Sequence, residues 1–165
     1  MGVYAGRRLM QDPMWGDEDD QLTFGLEFDM KPGWSSVSLW FGAGAGGKFD
    51  DYYTRTRTTE ILLGVRTRLI DTGRIVPFLS AGLAYQTAEV RYSGGYGSFI
   101  AKGSSVGLAV EAGVEARPSN LRLRLAIRGV VGASGTMDFD SGEAVSGTLD
   151  YWQIMGTLGF GSPGY

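Results

Sequence analysis

Histidine and cysteine are both absent from the 165 residues, and lysine occurs only at Lys31, Lys48 and Lys102. Without histidine the chain lacks the commonest general base and the commonest zinc ligand, which argues against triad hydrolases and imidazole-built metal enzymes. Without cysteine it is no disulfide scaffold. The five prolines and 27 glycines follow no collagen period. A formal net charge of -3 argues against nucleic acid as a main partner. No run of about 18 apolar residues occurs, so a transmembrane helix is excluded and a membrane protein here must be a barrel.

The length suits a single domain over 1–165, with 161–165 as a short tail. The start, Met1-Gly2-Val3-Tyr4, carries no basic and apolar leader. That fits a cytosolic protein or a mature chain whose signal peptide has been replaced by a start methionine, and the strands favour the second.

Apolar side chains alternate with small or polar ones over long stretches, the period of a strand with two unlike faces. Leu22, Phe24, Leu26, Phe28 and Met30 interleave with Thr23, Gly25, Glu27 and Asp29. Six further stretches repeat the pattern: from Val37 to Ala43, Ile61 to Leu69, Pro77 to Tyr85, Val106 to Ala116, Leu121 to Ile127 and Trp152 to Phe160. An eighth strand, Val3 to Met10, has adjacent Arg7 and Arg8, and its facing cannot be assigned.

Tight turns are expected at Pro32-Gly33, Asp71-Thr72-Gly73 and Pro118-Ser119-Asn120. Longer loops are expected at about 11–20, 45–56, 92–99 and 133–147. Even-numbered antiparallel strands with short turns on one side and long loops on the other are the layout of an outer-membrane barrel. A Lys31–Trp34 pair would set Phe28 against Val37 and Leu26 against Leu39. An Arg117–Asn120 pair would set Val114 against Leu123 and Glu115 against Arg122. Around Asp71, Leu69 would meet Ile75 and Val65 would meet Leu79. Each register keeps one sidedness, which a one-residue slip would destroy.

The charges say which face meets lipid. Glu27, Asp29, Glu60, Glu111 and Glu115 fall on the polar face with Arg66, Arg68, Arg122, Arg124 and Arg128, among Gly25, Gly64, Gly82, Gly107 and Gly113. Long arginines need small neighbours and opposite charges in the narrow lumen of an eight-stranded barrel, whereas a water-facing surface needs neither. The lysines fall at expected turns, loops or strand ends, where a soluble β-protein would scatter them along its exposed face. Tyr85 and Trp152 near the long-loop ends, with Trp34 and Phe160 near the short-turn ends, match interfacial girdles. The competing fold is a lipocalin-like soluble barrel with its aromatics inside. The expected fold is therefore all-β: an eight-stranded antiparallel up-and-down transmembrane β-barrel with short periplasmic turns and longer extracellular loops.

Val76-Pro77-Phe78-Leu79-Ser80-Ala81-Gly82-Leu83-Ala84-Tyr85 resembles the proline-aromatic-small-glycine-tyrosine strand of the OmpA/OmpX-like outer-membrane barrels. Tyr151 to Phe160 looks like their terminal strand, which ends in an aromatic read by the assembly machinery. The resemblance spans nearly the whole chain and implies a bacterial outer-membrane location. Gly161 to Tyr165 depart from it, so either Phe160 is the signal or Tyr165 is and the last strand is offset.

Barrel proteases, deacylases and phospholipases of that kind use a catalytic histidine, so no enzyme, no catalytic residue and no cofactor are expected. The lumen charges read as a structural salt-bridge network, or as a proton relay or gated pore. Asp17, Glu18, Asp19 and Asp20 crowd the first long loop, as solvated charge or as contacts for a cation or partner, without EF-hand spacing. Expected partners are outer-membrane lipid and lipopolysaccharide, with other envelope proteins through loops or barrel wall. The expected role is structural or surface-interacting. An accessory subunit of a larger envelope complex and a narrow conduit for small solutes or ions are the alternatives.

Overall fold

Branched and aromatic side chains at every second position, with glycine, threonine or charge between them, favour extended chain with unlike faces. The computed structural model describes residues 1–11, 20–30, 35–49, 53–70, 74–94, 97–118 and 121–160, and among these it holds ten strands and no helix. They are β1 (Gly2–Met10), β2 (Asp20–Met30), β3 (Ser35–Phe49), β4 (Tyr53–Arg68), β5 (Ile75–Gly94), β6 (Gly97–Ala116), β7 (Leu121–Val131), β8 (Ser134–Phe139), β9 (Ala144–Thr148) and β10 (Tyr151–Phe160).

Strands β1 to β7 and β10 form an antiparallel meander in which each pairs with the next. The cylinder closes where β10 pairs with β1, from Gly2↔Gly159 to Met10↔Tyr151. Closure leaves these eight strands no free edge along the wall. The facing is uniform. Along β10 every even position from Trp152 to Phe160 is exposed and every odd one from Tyr151 to Gly159 is buried. Leu22, Phe24, Leu63, Leu79, Leu83, Leu108, Leu125 and Ile154 all lie on the outer wall, at least half exposed. The first strand follows the rule: Tyr4 and Arg8 point inward, and Arg7 points out.

Three sequence expectations about pairing need correction, all in the same direction. Phe28 pairs with Leu39 instead of Val37, Val65 with Ala81 instead of Leu79, and Val114 with Leu125 instead of Leu123. Glu115 accordingly sits opposite Arg124, not Arg122. Each ladder ends further from its turn than a two-residue connection would allow. At the third turn the Arg117 amide donates to Arg74 O of the neighbouring hairpin, and the Leu121 amide donates to Pro118 O. The slip is two residues each time, and an even slip preserves which face is oily. The turns at Pro32-Gly33 and Asp71-Thr72-Gly73, most of 11–20, and 161–165 lie outside the described residues.

Three of the expected long loops, 45–56, 92–99 and 133–147, are also corrected, because most of their described length is strand. The β3–β4 ladder runs on to Phe49↔Tyr53 and the β5–β6 ladder to Gly94↔Gly97. Strands β5 and β6 are 20 residues each, about 66 Å of extended chain, whereas roughly 9 to 11 residues suffice to cross a bilayer. The surplus projects beyond the rim opposite the termini. Lys102 therefore sits within β6, not at an end. Where a loop was expected at 133–147, β8 continues β7 alongside β6, displaced by one residue across Gly132 at φ +72°, and β9 pairs with β8. Asp150 Oδ1 accepts the Ala133 amide at 2.7 Å, and the Leu149 amide donates to Ala133 O at 2.9 Å, which pins the base of this hairpin.

Candidate functional site

The inward positions of the strands converge on a dense cluster of opposite charges. Nearest the rim with the termini, Arg66 from β4 and Arg124 from β7 both bind Glu27 of β2. Arg66 Nη1 lies 2.9 Å from Asp29 Oδ1, and Arg124 Nη2 lies 2.8 Å from Glu115 Oε2. Ser38 donates to Asp29 at 2.6 Å. Deeper in, Glu111 joins two arginines, with Arg66 Nη2 at 2.9 Å and Arg128 Nη2 at 2.8 Å. Beyond it lies Glu60, fully enclosed. Arg8 Nη2 is 2.8 Å away and Arg128 Nη1 3.4 Å, while the Tyr4 hydroxyl donates at 3.0 Å and that of Tyr151 also donates.

Aromatic rings fill the space between the charges. Arg66 lies over Trp40 and Phe78, at 5.1 Å and 4.8 Å from the ring centroids, and Arg8 lies 4.1 Å from that of Tyr151. Above them, Gln153 donates to Thr23 at 2.7 Å and Thr58 donates to Gln21 Oε1 at 2.9 Å. Charges taken out of water carry a penalty of several kcal/mol each, which only close pairing and hydrogen bonding offset. Glycine makes the packing sterically feasible. A Cβ on Gly42 would stand 2.0 Å from the Tyr4 hydroxyl and 2.8 Å from Glu60 Oε1.

Of the charges the sequence places on this face, Glu27, Asp29, Glu60, Glu111, Glu115, Arg66, Arg124 and Arg128 come together. Arg68 and Arg122 lie half-buried near the mouth by the termini, Arg122 beside Glu27, Asp29 and Arg124. The sequence reading missed Arg8, Tyr4, Tyr151, Trp40 and Phe78. Parity was the available signal for Trp40, Phe78 and Tyr151, each one position from residues placed on the oily face, whereas the unassigned facing of the first strand gave none for Tyr4 and Arg8. In the first long loop Asp17, Glu18 and Asp19 fall outside the described residues. Asp20 pairs with Arg7 on the outer wall. Among the described residues no three carboxylates gather as a metal site.

A second charged region lies outside the barrel, beyond the apolar wall and away from the termini. Arg55, Arg57, Arg91 and Lys102 face outward there, with Glu89 between them. Arg91 and Lys102 both pair with Glu89. The hydrogen bond from Arg91 and the nearby positive charges hold that carboxyl below its usual range.

A closed eight-stranded meander with an apolar outer wall and a packed, charged interior is a small β-barrel of the transmembrane type. Its fold is that of the OmpA/OmpX-like outer-membrane barrels. Neisserial surface protein A superposes with a TM-score of 0.66 at 11% identity, covering 95% of this chain and 92% of that one. Ail, the attachment invasion locus protein of Yersinia pestis, gives 0.53 at 15% identity, covering 96% and 94%. CarO of Acinetobacter baumannii gives 0.51 at 12%, covering 97% of each. No family model and no curated protein sequence matches the chain.

Proposed function

We propose that this chain is a non-enzymatic barrel of the bacterial outer membrane, its lumen stopped by a structural charge network and its projecting hairpins serving surface contacts. One observation carries the reading: the face whose leucines and phenylalanines stand exposed belongs to the same strands whose opposite face encloses Arg8, Glu60, Glu111 and Arg128. In water that arrangement would leave a wide apolar surface uncovered, well beyond what soluble monomers tolerate. Hydrocarbon covers it. The network serves the wall rather than transport, because Trp40, Phe78 and the paired arginines occupy the space an ion would need.

Folding and conductance test the two halves separately. The purified chain should refold in detergent micelles to a form that migrates differently before and after boiling, and should give no unitary current steps in planar bilayers. Folding in detergent-free buffer to a monomer would overturn the membrane assignment, and reproducible steps would overturn the closed lumen.

A further inference from the structure

We infer that the outward face of β4 and β5 just beyond the apolar wall binds the phosphate groups of an outer-leaflet glycolipid through Arg55, Arg57 and Arg91. The inference rests on the reading of the chain as an outer-membrane barrel and gives that barrel a ligand site.

Arg55 and Arg91 are direct partners across the β4–β5 ladder, both pointing outward and exposed. Like charges placed directly opposite each other destabilise a sheet, and an anion bound between them reverses the sign. Arg57, two residues along the same face, stands opposite Glu89, whose other neighbour in the sheet is Lys102. Lys102 in turn faces Asp138 of β8. Four cations against two carboxylates leave two positive charges unneutralised on this face.

The β3 partners of Arg55 and Arg57 are Gly47 and Ala45, so no large side chain covers the arginines from that side. A shallow groove results, bordered by Arg7, Asp20, Leu22, Ala45, Gly47 and Arg55. Arg7 is paired with Asp20 and adds no net charge to it.

Position identifies the anion as part of a lipid. Down the same face of β4, Arg57 is followed by Thr59, Ile61 and Leu63, and down β5, Arg91 is followed by Glu89, Thr87, Tyr85 and Leu83. The hydroxyls of Thr59 and Thr87 bond each other at 2.6 Å, marking the polar step between arginines and wall. At roughly 3.3 Å per residue, Arg57 stands about 13 Å along the strand from Ile61. Acyl chains laid against Ile61, Leu63 and Leu83 would therefore carry their phosphates to the arginines. A dissolved anion gains nothing from that adjacency.

Titration of the full chain, refolded in zwitterionic detergent, with diphosphoryl lipid A tests the site by native mass spectrometry. Arg55→Gln combined with Arg91→Gln should weaken binding about tenfold or more, as loss of charge-assisted hydrogen bonds implies. Arg74→Gln, at the opposite rim, should leave it unchanged, and dephosphorylated lipid A should bind the parent no better than the double variant. If the double variant fails to refold, Arg57→Gln alone carries the same comparison. Equal binding of diphosphoryl lipid A by parent and variants would overturn the inference. Displacement by inorganic phosphate would make this a site for free anions, and displacement by polyglutamate a site for an acidic protein; either overturns the lipid assignment. Failure of the parent itself to refold in detergent would remove the membrane reading and this site with it.

Discussion

Arg128 lies 5.0 Å from the centroid of the Trp40 ring while its Nη2 pairs with Glu111 at 2.8 Å, so one guanidinium binds an aromatic face from β3 and a carboxylate from β6. With Nη1 directed to Glu60 at 3.4 Å, it links three strands across the lumen.

Arg128→Leu leaves Glu111 short of one partner and Glu60 dependent on Arg8. Removal of one member of a buried pair costs about 3 to 5 kcal/mol. Urea unfolding of the barrel in detergent should show a loss of that size. Combining the change with Glu111→Gln should recover part of it, because the uncompensated charge is gone; a larger loss in the double variant would contradict the pairing.

Gly42→Val should prevent assembly of the folded form. Its Cβ alone would collide with the Tyr4 hydroxyl and with Glu60, and neither can retreat in a filled interior. The heat-modifiable band on unboiled gels should be lost. Adding Tyr4→Ala should bring some of it back.

Leu79→Arg should hinder folding into bilayers by about 2 to 4 kcal/mol, the penalty for arginine on the lipid face near the midplane. Leu79 lies at the middle of the outward apolar run of β5, between Ile75 and Tyr85. Leu123→Arg, near the start of β7, should cost far less, about 0 to 1 kcal/mol, because arginine there reaches the interface. Unfolding titrations in lipid vesicles would rank the two, and equal penalties would contradict this depth assignment.

Excision of residues 134–148, joining Ala133 to Leu149, should leave the barrel intact. The Leu149 amide already donates to Ala133 O at 2.9 Å, so the cut ends are neighbours, and the hairpin pairs with the wall only along β6. Circular dichroism and the gel shift should match the parent. Loss of folding would mean that β8 and β9 help close the cylinder.

Sidedness was legible in the sequence because the period of two survives any even slip. The alternation from Leu22 to Met30 identified the outer wall although its partner residues were misjudged. Register was not legible, since the Arg117 amide bonds to a different hairpin and no local pattern announces that. The projecting hairpins were hidden for another reason. From Tyr53 to Thr59 both faces are polar, and from Thr87 to Tyr92 the apolar residues Ala88 and Val90 lie on the inward face instead, so the ladder continues while the outward apolar alternation stops. In the lumen, the paired carboxylates were readable as charges among glycines. Arg8 was not, because Arg7 beside it carries the same charge and only the closing pairs with β10 separate inside from outside.

Glu60 depends on groups drawn from both extremities of the polypeptide: Tyr4 and Arg8 come from the first strand, Arg128 and Tyr151 from the last two of the cylinder. A partly assembled sheet would expose this carboxylate to hydrocarbon with most of its counter-charge missing. Insertion strand by strand is thus penalised, and the favourable route carries the first and final segments into place together, so that seam formation and neutralisation become a single event.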